Sequence, residues 1–476
     1  LMNDTDTVIC VFFLSSLLPI FLGIGCYLLT RGKLELGFRE GFGIVTFGWF
    51  FSAIVGSIPF ITVMNMHWYD AFFETMSGFT TTGASILDNT LVLRDNSTLK
   101  SGIADLPSGL LYWRSMTHWL GGMGIVVLSL AILPLLGIGG QQLYRAEVSG
   151  IDKSSKLTPR IANCAKILWG VYLLLTVAET LLLYLGGMTL FQAWCHSCAT
   201  IATGGFSTEQ ASIGAFGSIY IECVVIFFMF LSGCNFVLHI KALQGKIDNY
   251  FKDEEFILFT FMIFLGVLST TLSIYGSEIT LTDGNIVHGS LSNSLRYSSF
   301  QLVSIISSTG FATADVGNWP TYCKFVIICF TFVAACAGST SGGIKVSRIL
   351  ICIKHALLQV KQSIFPHSML NVRINGQYFP LILLNKTINF FFIYILYFVI
   401  TTILLSLIET ADFETLASAT VTCMSNVGPG LGKVSQINSY AWMSPISKIV
   451  LSFAMLVGRL EIYTVFVVFL PKFWKR

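Results

Sequence analysis

Long apolar runs and short polar, glycine-centred runs alternate along the chain in a fixed order. Val8–Leu29 has the roughly 20 apolar residues a helix needs to cross a bilayer, and Phe42–Val63 is a second such run. A shorter stretch, Tyr69–Phe79, leads into the polar run Ser77-Gly78-Phe79-Thr80-Thr81-Thr82-Gly83-Ala84-Ser85, and Trp113–Leu136 follows at spanning length. The order returns three times. Ile161–Leu185 is long, Phe191–Ile201 short and Tyr220–Leu243 long. Phe256–Ile274 is long, Ser294–Ser307 short, and Tyr322–Ala337 long but interrupted at its end. Tyr378–Ile408 is long, Phe413–Met424 short and Pro445–Leu470 long. The short stretches are followed by Thr203-Gly204-Gly205-Phe206, Ser308-Thr309-Gly310-Phe311 and the looser Asn426-Val427-Gly428-Pro429.

This pattern predicts an all-α polytopic membrane protein, with four helix–pore-loop–helix repeats around a pseudo-fourfold pore and one leading N-terminal helix. The divisions fall at residues 1–38 for the leading helix and at 39–140, 141–245, 246–375 and 376–476 for the repeats. A unit with two full spans returns the chain to its starting side, so the four units share one orientation, as parallel internal repeats do. All four polar runs then enter from one face and can meet on one axis. Lys and Arg gather at the other ends, as in Arg31, Lys33 and Arg39, in Arg145–Lys166, in Lys241–Lys252, in Lys345–Arg373 and in Lys472–Arg476. Basic residues concentrate in cytoplasmic loops, so the polar runs are expected to open to the outside.

Composition agrees. Only 11% of the 476 residues are charged and 54% are hydrophobic, with mean hydropathy +0.75; a soluble domain carries about 25% charged residues. A net charge of +3 suggests no nucleic-acid partner. Asp4 and Asp6 stand where a cleavable leader would be basic. Most of the 12 Cys lie in apolar segments, where a thiol packs as a small hydrophobe. Cys195 and Cys198 have C-x-x-C spacing but lack a second ligand pair, so helix packing is the reading. The His residues are scattered singly, and no catalytic constellation or cofactor motif stands out; an enzyme is not indicated.

Non-helical backbone at membrane depth is tolerated only when it is buried in protein or lines water. Four such segments on one axis satisfy both conditions. A cation entering a narrow place must shed water, and rings of backbone carbonyls can replace that water. Glycine allows the left-handed backbone such a loop needs, and Thr and Ser add hydroxyl acceptors. The candidate cation-binding residues are Thr81, Thr82, Gly83, Thr203, Gly204, Gly205, Ser308, Thr309, Gly310, Asn426, Val427 and Gly428. Aligning Gly-Phe favours Gly205 as the partner of Gly83, whereas aligning Thr-Gly favours Gly204. Asp70 and Glu74 either draw cations to the mouth or cap the first short helix, where acids are favoured.

These runs, together with Asp70-Ala71-Phe72-Phe73-Glu74, His118-Trp119-Leu120-Gly121-Gly122-Met123-Gly124-Ile125, Gly137-Ile138-Gly139-Gly140, Gln142-Leu143-Tyr144-Arg145-Ala146-Glu147, Gly233-Cys234-Asn235 and Gly458-Arg459-Leu460-Glu461, carry a resemblance over essentially the whole chain. The sequence resembles the membrane subunits of Trk-type bacterial potassium-uptake systems, in the Trk/Ktr/HKT superfamily. The resemblance implies potassium as the transported ion, a bacterial inner-membrane location within lipid, a homodimer, and a cytoplasmic nucleotide-binding regulatory subunit of NAD or ATP type. In this superfamily Gly at the filter position goes with potassium preference and Ser in the first filter with sodium permeation. A sodium-permeable or ion-coupled symporter of the same superfamily is the alternative.

The third repeat breaks into Gly338-Ser339-Thr340-Ser341-Gly342-Gly343-Ile344-Lys345 after about 16 apolar residues, roughly 24 Å of helix against a ~30 Å hydrocarbon core. An apolar helix resumes over Ile344–Leu358. Gly338, Ser339, Thr340, Ser341, Gly342, Gly343 and Lys345 thus read as an intramembrane gate, as the family uses this segment, with a C-cap and cytoplasmic turn as the plain alternative. Arg459 lies deep in an apolar run, where a charge costs about 2.5–3.5 kcal/mol on insertion scales. It is expected either to face the cavity under the filter as a barrier to cations or to pair with an acid such as Glu179.

Overall fold

The computed structural model describes residues 6–29, 38–131, 157–365 and 371–475. The leading helix α1 is Asp6–Leu29. The first repeat holds α2 (Phe38–Val63), the half-helix α3 (Trp68–Phe79) and α4 (Ser108–Ala131). The second holds α5 (Leu157–Leu185), the half-helix α6 (Leu190–Ile201), and α7 (Ile219–Gly233) with α8 (Phe236–Leu243). A short α9 (Asp248–Lys252) precedes the third, which holds α10 (Glu254–Ile274), the half-helix α11 (Leu291–Ile306), α12 (Thr321–Phe332) and α13 (Val346–Ile364). The fourth holds α14 (Leu381–Ile408), the half-helix α15 (Phe413–Met424), α16 (Pro445–Arg459), α17 (Tyr463–Val468) and α18 (Pro471–Trp474). Among the described residues the strands form two small antiparallel hairpins, β1–β2 (Glu278–Thr280 with Ile286–His288) and β3–β4 (Arg373–Ile374 with Gln377–Tyr378).

Five described helices are long and apolar enough to cross a membrane, and the bent pair α7–α8 could make a sixth span. Three of the four half-helices start where a side chain satisfies exposed N–H groups. Thr189 forms a capping box with Gln192, and Ser290 and Asp412 accept from Asn293 N and Thr415 N. Such a cap is worth about 1 kcal/mol. The first half-helix lacks one, since His67 makes no side-chain cap bond.

Two expected unbroken spans are broken. The run Tyr220–Leu243 bends by 102° between Gly233 and Phe236, where Asn235 caps α8 by accepting from Val237 N at 2.9 Å. The run Pro445–Leu470 stops at Arg459 and restarts at Tyr463, with Glu461 and Ile462 both at positive φ, 59° and 52°. Both breaks lie beside the third repeat's interrupted segment, where Phe236 N bonds Gly338 O at 3.1 Å and Arg459 Nη1 bonds Thr340 O at 2.7 Å, contacts that apolarity alone does not reveal. The third repeat breaks as expected, between Phe332 and Val346.

The repeats pack head to tail in a closed cycle. The second helix of each repeat lies against the half-helix of the next: α4 on α6, α7 on α11, α12 on α15, and α16 back on α3. Each of these interfaces carries a polar tie. Arg114 Nη1 donates to Ser207 O at 2.8 Å, Arg296 pairs with Glu222 at 2.6 Å, Lys324 with Glu414 at 3.7 Å, and Lys448 with Asp70 at 2.6 Å.

Candidate ion pathway

The four half-helices end in the same way. Each closes with two backbone bonds that define a Schellman cap. Thr82 N, Gly204 N, Thr309 N and Val427 N reach back to Ser77 O, Ala199 O, Ser304 O and Thr422 O, all at 2.8–2.9 Å. Thr81 N, Thr203 N, Ser308 N and Asn426 N reach Gly78 O, Thr200 O, Ile305 O and Cys423 O at 2.9–3.3 Å. The left-handed residue of such a cap is ordinarily Gly. Here it is Thr81, Thr203, Ser308 or Asn426, at φ 51°, 55°, 61° and 54°. A second left-handed residue follows two positions on, and in every repeat it is Gly: Gly83, Gly205, Gly310 and Gly428, at φ 78°, 81°, 81° and 91°.

Those four glycines close a ring. A Cβ on Gly83 would strike the carbonyl oxygen of Gly204, one on Gly205 that of Thr309, one on Gly310 that of Val427, and one on Gly428 that of Thr82. Each repeat therefore presses its glycine on the carbonyl that precedes the glycine of the next repeat, and the fourth returns to the first. The alternatives for the second repeat are thereby separated: Gly205 is the structural counterpart of Gly83. Gly204 instead matches Thr82, and its Cα faces the His118 ring.

The side chains of this layer are buried. Thr81 Oγ1, Ser308 Oγ and Asn426 Oδ1 make no hydrogen bond among the described residues, although a buried polar atom without a partner is costly. They are therefore free to meet a bound ion or its water. Asn426 Nδ2 donates to Thr82 Oγ1 at 2.9 Å and to Met455 O at 3.0 Å, joining the fourth loop to the first. A cavity lies over the ring, lined by Gly83, Gly205, Gly310 and Pro429, with Glu209 and Gln436 among its polar walls.

Residues assigned another role, or none, from the sequence hold the loops. Glu74 accepts from Arg114 Nε at 2.7 Å, from Ile86 N at 3.0 Å and from Ser85 Oγ at 3.0 Å. Neither Asp70 nor Glu74 lines the cavity: both are buried in ion pairs, Asp70 in the first turn of α3, where the helix dipole favours an acid, and Glu74 beyond it. His118 Nδ1 meets Gly78 O at 2.8 Å, and its Nε2 lies 3.2 Å from Phe206 N. A carbonyl only accepts and an amide only donates, so His118 carries its proton on Nδ1 and is neutral. It bridges the first and second loops. In the fourth loop Tyr440 Oη donates to Gly428 O at 2.8 Å. The signal for these ties was a set of lone charged or aromatic residues in apolar sequence, without partners that spacing could pick out.

The segment Gly338–Lys345 lies directly under the ring. Thr340 Oγ1 donates to Ile201 O at 2.9 Å, at the end of the second half-helix. A Cβ on Gly342 would meet Ser425 O and Asn426 Oδ1 under the fourth. Ser339 and Ser341 hydroxyls meet at 2.8 Å, and Lys345 Nζ folds back on Ser341, bonding its carbonyl and, at 3.0 Å, its Oγ. Gly338 and Gly343 take positive φ, 74° and 63°, where the chain turns out and back. Arg459 Nη1 donates to Thr340 O at 2.7 Å and Nη2 to Gly121 O at 3.3 Å. Its partners are carbonyls, not Glu179, and Glu461 pairs instead with Arg348. Of the two basic segments, 145–156 in the first and 366–370 in the second lie outside the described residues; α13 carries Arg348, Lys354 and Lys361, and the hairpin after it Arg373.

Fold and ring together define a polytopic membrane protein of the pore-loop class. Residues 10–476 match the TrkH family, described as cation transport protein, and the chain belongs to that family. It is 41% identical to the Trk system potassium uptake protein TrkH of Salmonella typhimurium and to that of Escherichia coli K12, over 94% of this chain and 88% of either relative. It is 35% identical to the Trk system potassium uptake protein TrkG of Escherichia coli K12 over 469 residues, 98% of this chain and 92% of that one. The crystal structure of the potassium transporter TrkH from Vibrio parahaemolyticus superposes with a TM-score of 0.87 at 34% identity, covering 100% of this chain and 94% of that one.

Proposed function

We propose that this chain conducts potassium into the cell through the ring of four loops. The observation that carries the reading is the closed cycle of left-handed glycines, each seated on the carbonyl of its neighbour. The backbone oxygens of Thr81, Thr82, Gly83 and their counterparts replace the water of a dehydrated potassium ion, and the buried oxygens of Thr81, Ser308 and Asn426 take part at the lower level. The half-helices direct the negative ends of their dipoles at the same place. The names of the relatives, Trk system potassium uptake proteins, support potassium as the ion.

In this reading Gly338–Lys345 is the gate, and Arg459 sets a positive charge beneath the filter. The protein sits in the bacterial inner membrane as a homodimer and answers to a cytoplasmic nucleotide-binding subunit, which docks on the basic segments 145–166 and 345–373. The test is potassium uptake by a transport-deficient cell expressing wild type or Gly83→Ser. Wild type is expected to restore growth at low potassium, and Gly83→Ser to admit sodium as well. Absence of rescue by a folded, membrane-inserted wild-type protein rejects the proposal.

A further inference from the structure

We propose that Glu255 is the latch that keeps the segment under the filter looped, a role that rests on reading that segment as a gate. Glu255 is buried in the first turn of α10, and its Oε1 accepts from Ala337 N at 2.6 Å and from Ser347 N at 2.9 Å. These amides lie ten positions apart, one on each side of Gly338–Val346. A single carboxylate oxygen thus ties both ends of the excursion.

Around that oxygen the base is already narrow. Ile344 N bonds Phe332 O at 3.2 Å, Ala334 N bonds Ile344 O at 2.9 Å, and Val346 N bonds Ala335 O at 3.2 Å, making a short parallel bridge. The turn that carries Glu255 is itself fixed. Asp253 caps α10 by accepting from Phe256 N at 2.9 Å, Asn375 Oδ1 accepts from Glu254 N at 2.9 Å, and Glu254 pairs with Lys354 on α13.

The two amides have a second use. If α12 and α13 joined as one continuous helix, Ala337 N would bond Val333 O and Ser347 N would bond Gly343 O, the i−4 pattern. Straightening therefore requires both to leave Glu255, and Glu255 stands in for the two missing helical carbonyls only while the loop is folded. Removing it orphans two half-buried donors in the looped state and none in the straight one. A change that acts on one state alone shifts the population toward the other.

Rubidium influx into potassium-loaded vesicles is compared for wild type, Glu255→Ala, Glu255→Gln and a variant lacking residues 339–341. Loss of charge-assisted hydrogen bonds should raise basal influx by Glu255→Ala roughly ten- to a hundredfold. Glu255→Gln, which keeps an acceptor without the charge, should lie between it and wild type. Amide hydrogen exchange at Ala337 and Ser347 should accelerate in the same order. If the shortened variant leaks while both Glu255 variants stay at the wild-type rate, the latch is overturned and the gate reading stands. If the shortened variant does not leak, the gate reading fails and takes the latch with it. Should Glu255→Ala not fold, Glu255→Gln decides: wild-type influx rejects the latch, raised influx supports it.

Discussion

Arg459 Nη1 donates to the carbonyl oxygen of Thr340 across 2.7 Å, tying the last turn of α16 to the tip of the segment under the filter. The guanidinium is fully buried, and no carboxylate pairs with it among the described residues. A charge held in that way stays uncompensated beneath the ring, on the path proposed for the cation. Arg459→Ala is therefore expected to raise potassium flux, by roughly tenfold if the barrier is only about 1.4 kcal/mol. Arg459→Lys, which keeps the charge, should stay nearer wild type. Flux through reconstituted vesicles checks both, and an unchanged rate in Arg459→Ala removes the barrier role.

Gly205 and Gly204 should respond differently to substitution. Gly205 has φ 81° and faces Thr309 O, so Gly205→Ser should disturb the ring itself and reduce potassium-over-sodium selectivity, as Gly83→Ser should. Gly204→Ala presses instead on the His118 ring and should act mainly on stability, by about 1–3 kcal/mol for an overpacked site. Reversal potentials in mixed potassium and sodium separate the first effect, and thermal denaturation in detergent measures the second.

The ion pairs within and between repeats are unequal, and stability should rank with burial. Arg114→Ala leaves Glu74 charged and buried and should cost about 3–5 kcal/mol. Lys448→Ala does the same to Asp70 and should fall in that range. Lys324→Ala loosens a partly exposed pair at 3.7 Å and should cost less than about 1 kcal/mol. Denaturant titration of the three variants checks the order.

Asp412 makes folding of the fourth half-helix sensitive to acid. The hydrogen bond from the Thr415 hydroxyl holds its carboxyl below the ordinary carboxylate value. The stabilisation is thus complete above the unfolded pKa and is lost as pH falls through the folded one. Asp412→Asn keeps a cap without the titration, so its melting temperature should drop less than wild type between pH 6 and pH 3. Asp412→Ala should cost about 1 kcal/mol near neutrality.

The half-helix Phe413–Met424 and the repeat order were legible because apolar periodicity, capping residues and Thr-Gly punctuation all point one way. The break in the third repeat was legible because Gly and Ser interrupt the apolar run. The break at Ile462 was not. Leu460, Ile462 and Tyr463 read as a continuing helix, and a β-branched residue at φ 52° is a genuine outlier that only tertiary packing can impose. The Gly204–Gly205 ambiguity was local, and it took the neighbouring repeat's carbonyl to resolve it. Glu74–Arg114 and Asp70–Lys448 lie 40 and 378 positions apart, beyond the reach of any spacing rule.

The bond from Asn426 to Thr82 joins residues 344 positions apart. A chain emerging from the ribosome makes its first half-helix long before its last, since synthesis proceeds from the N-terminus at about 5–20 residues per second. At those rates the first loop waits on the order of half a minute for its final neighbour. During biogenesis the cycle of four loops therefore cannot close until translation is nearly over. A premature stop before residue 426 leaves an open arc, which membrane quality control should meet as an unassembled protein rather than as a weakened transporter.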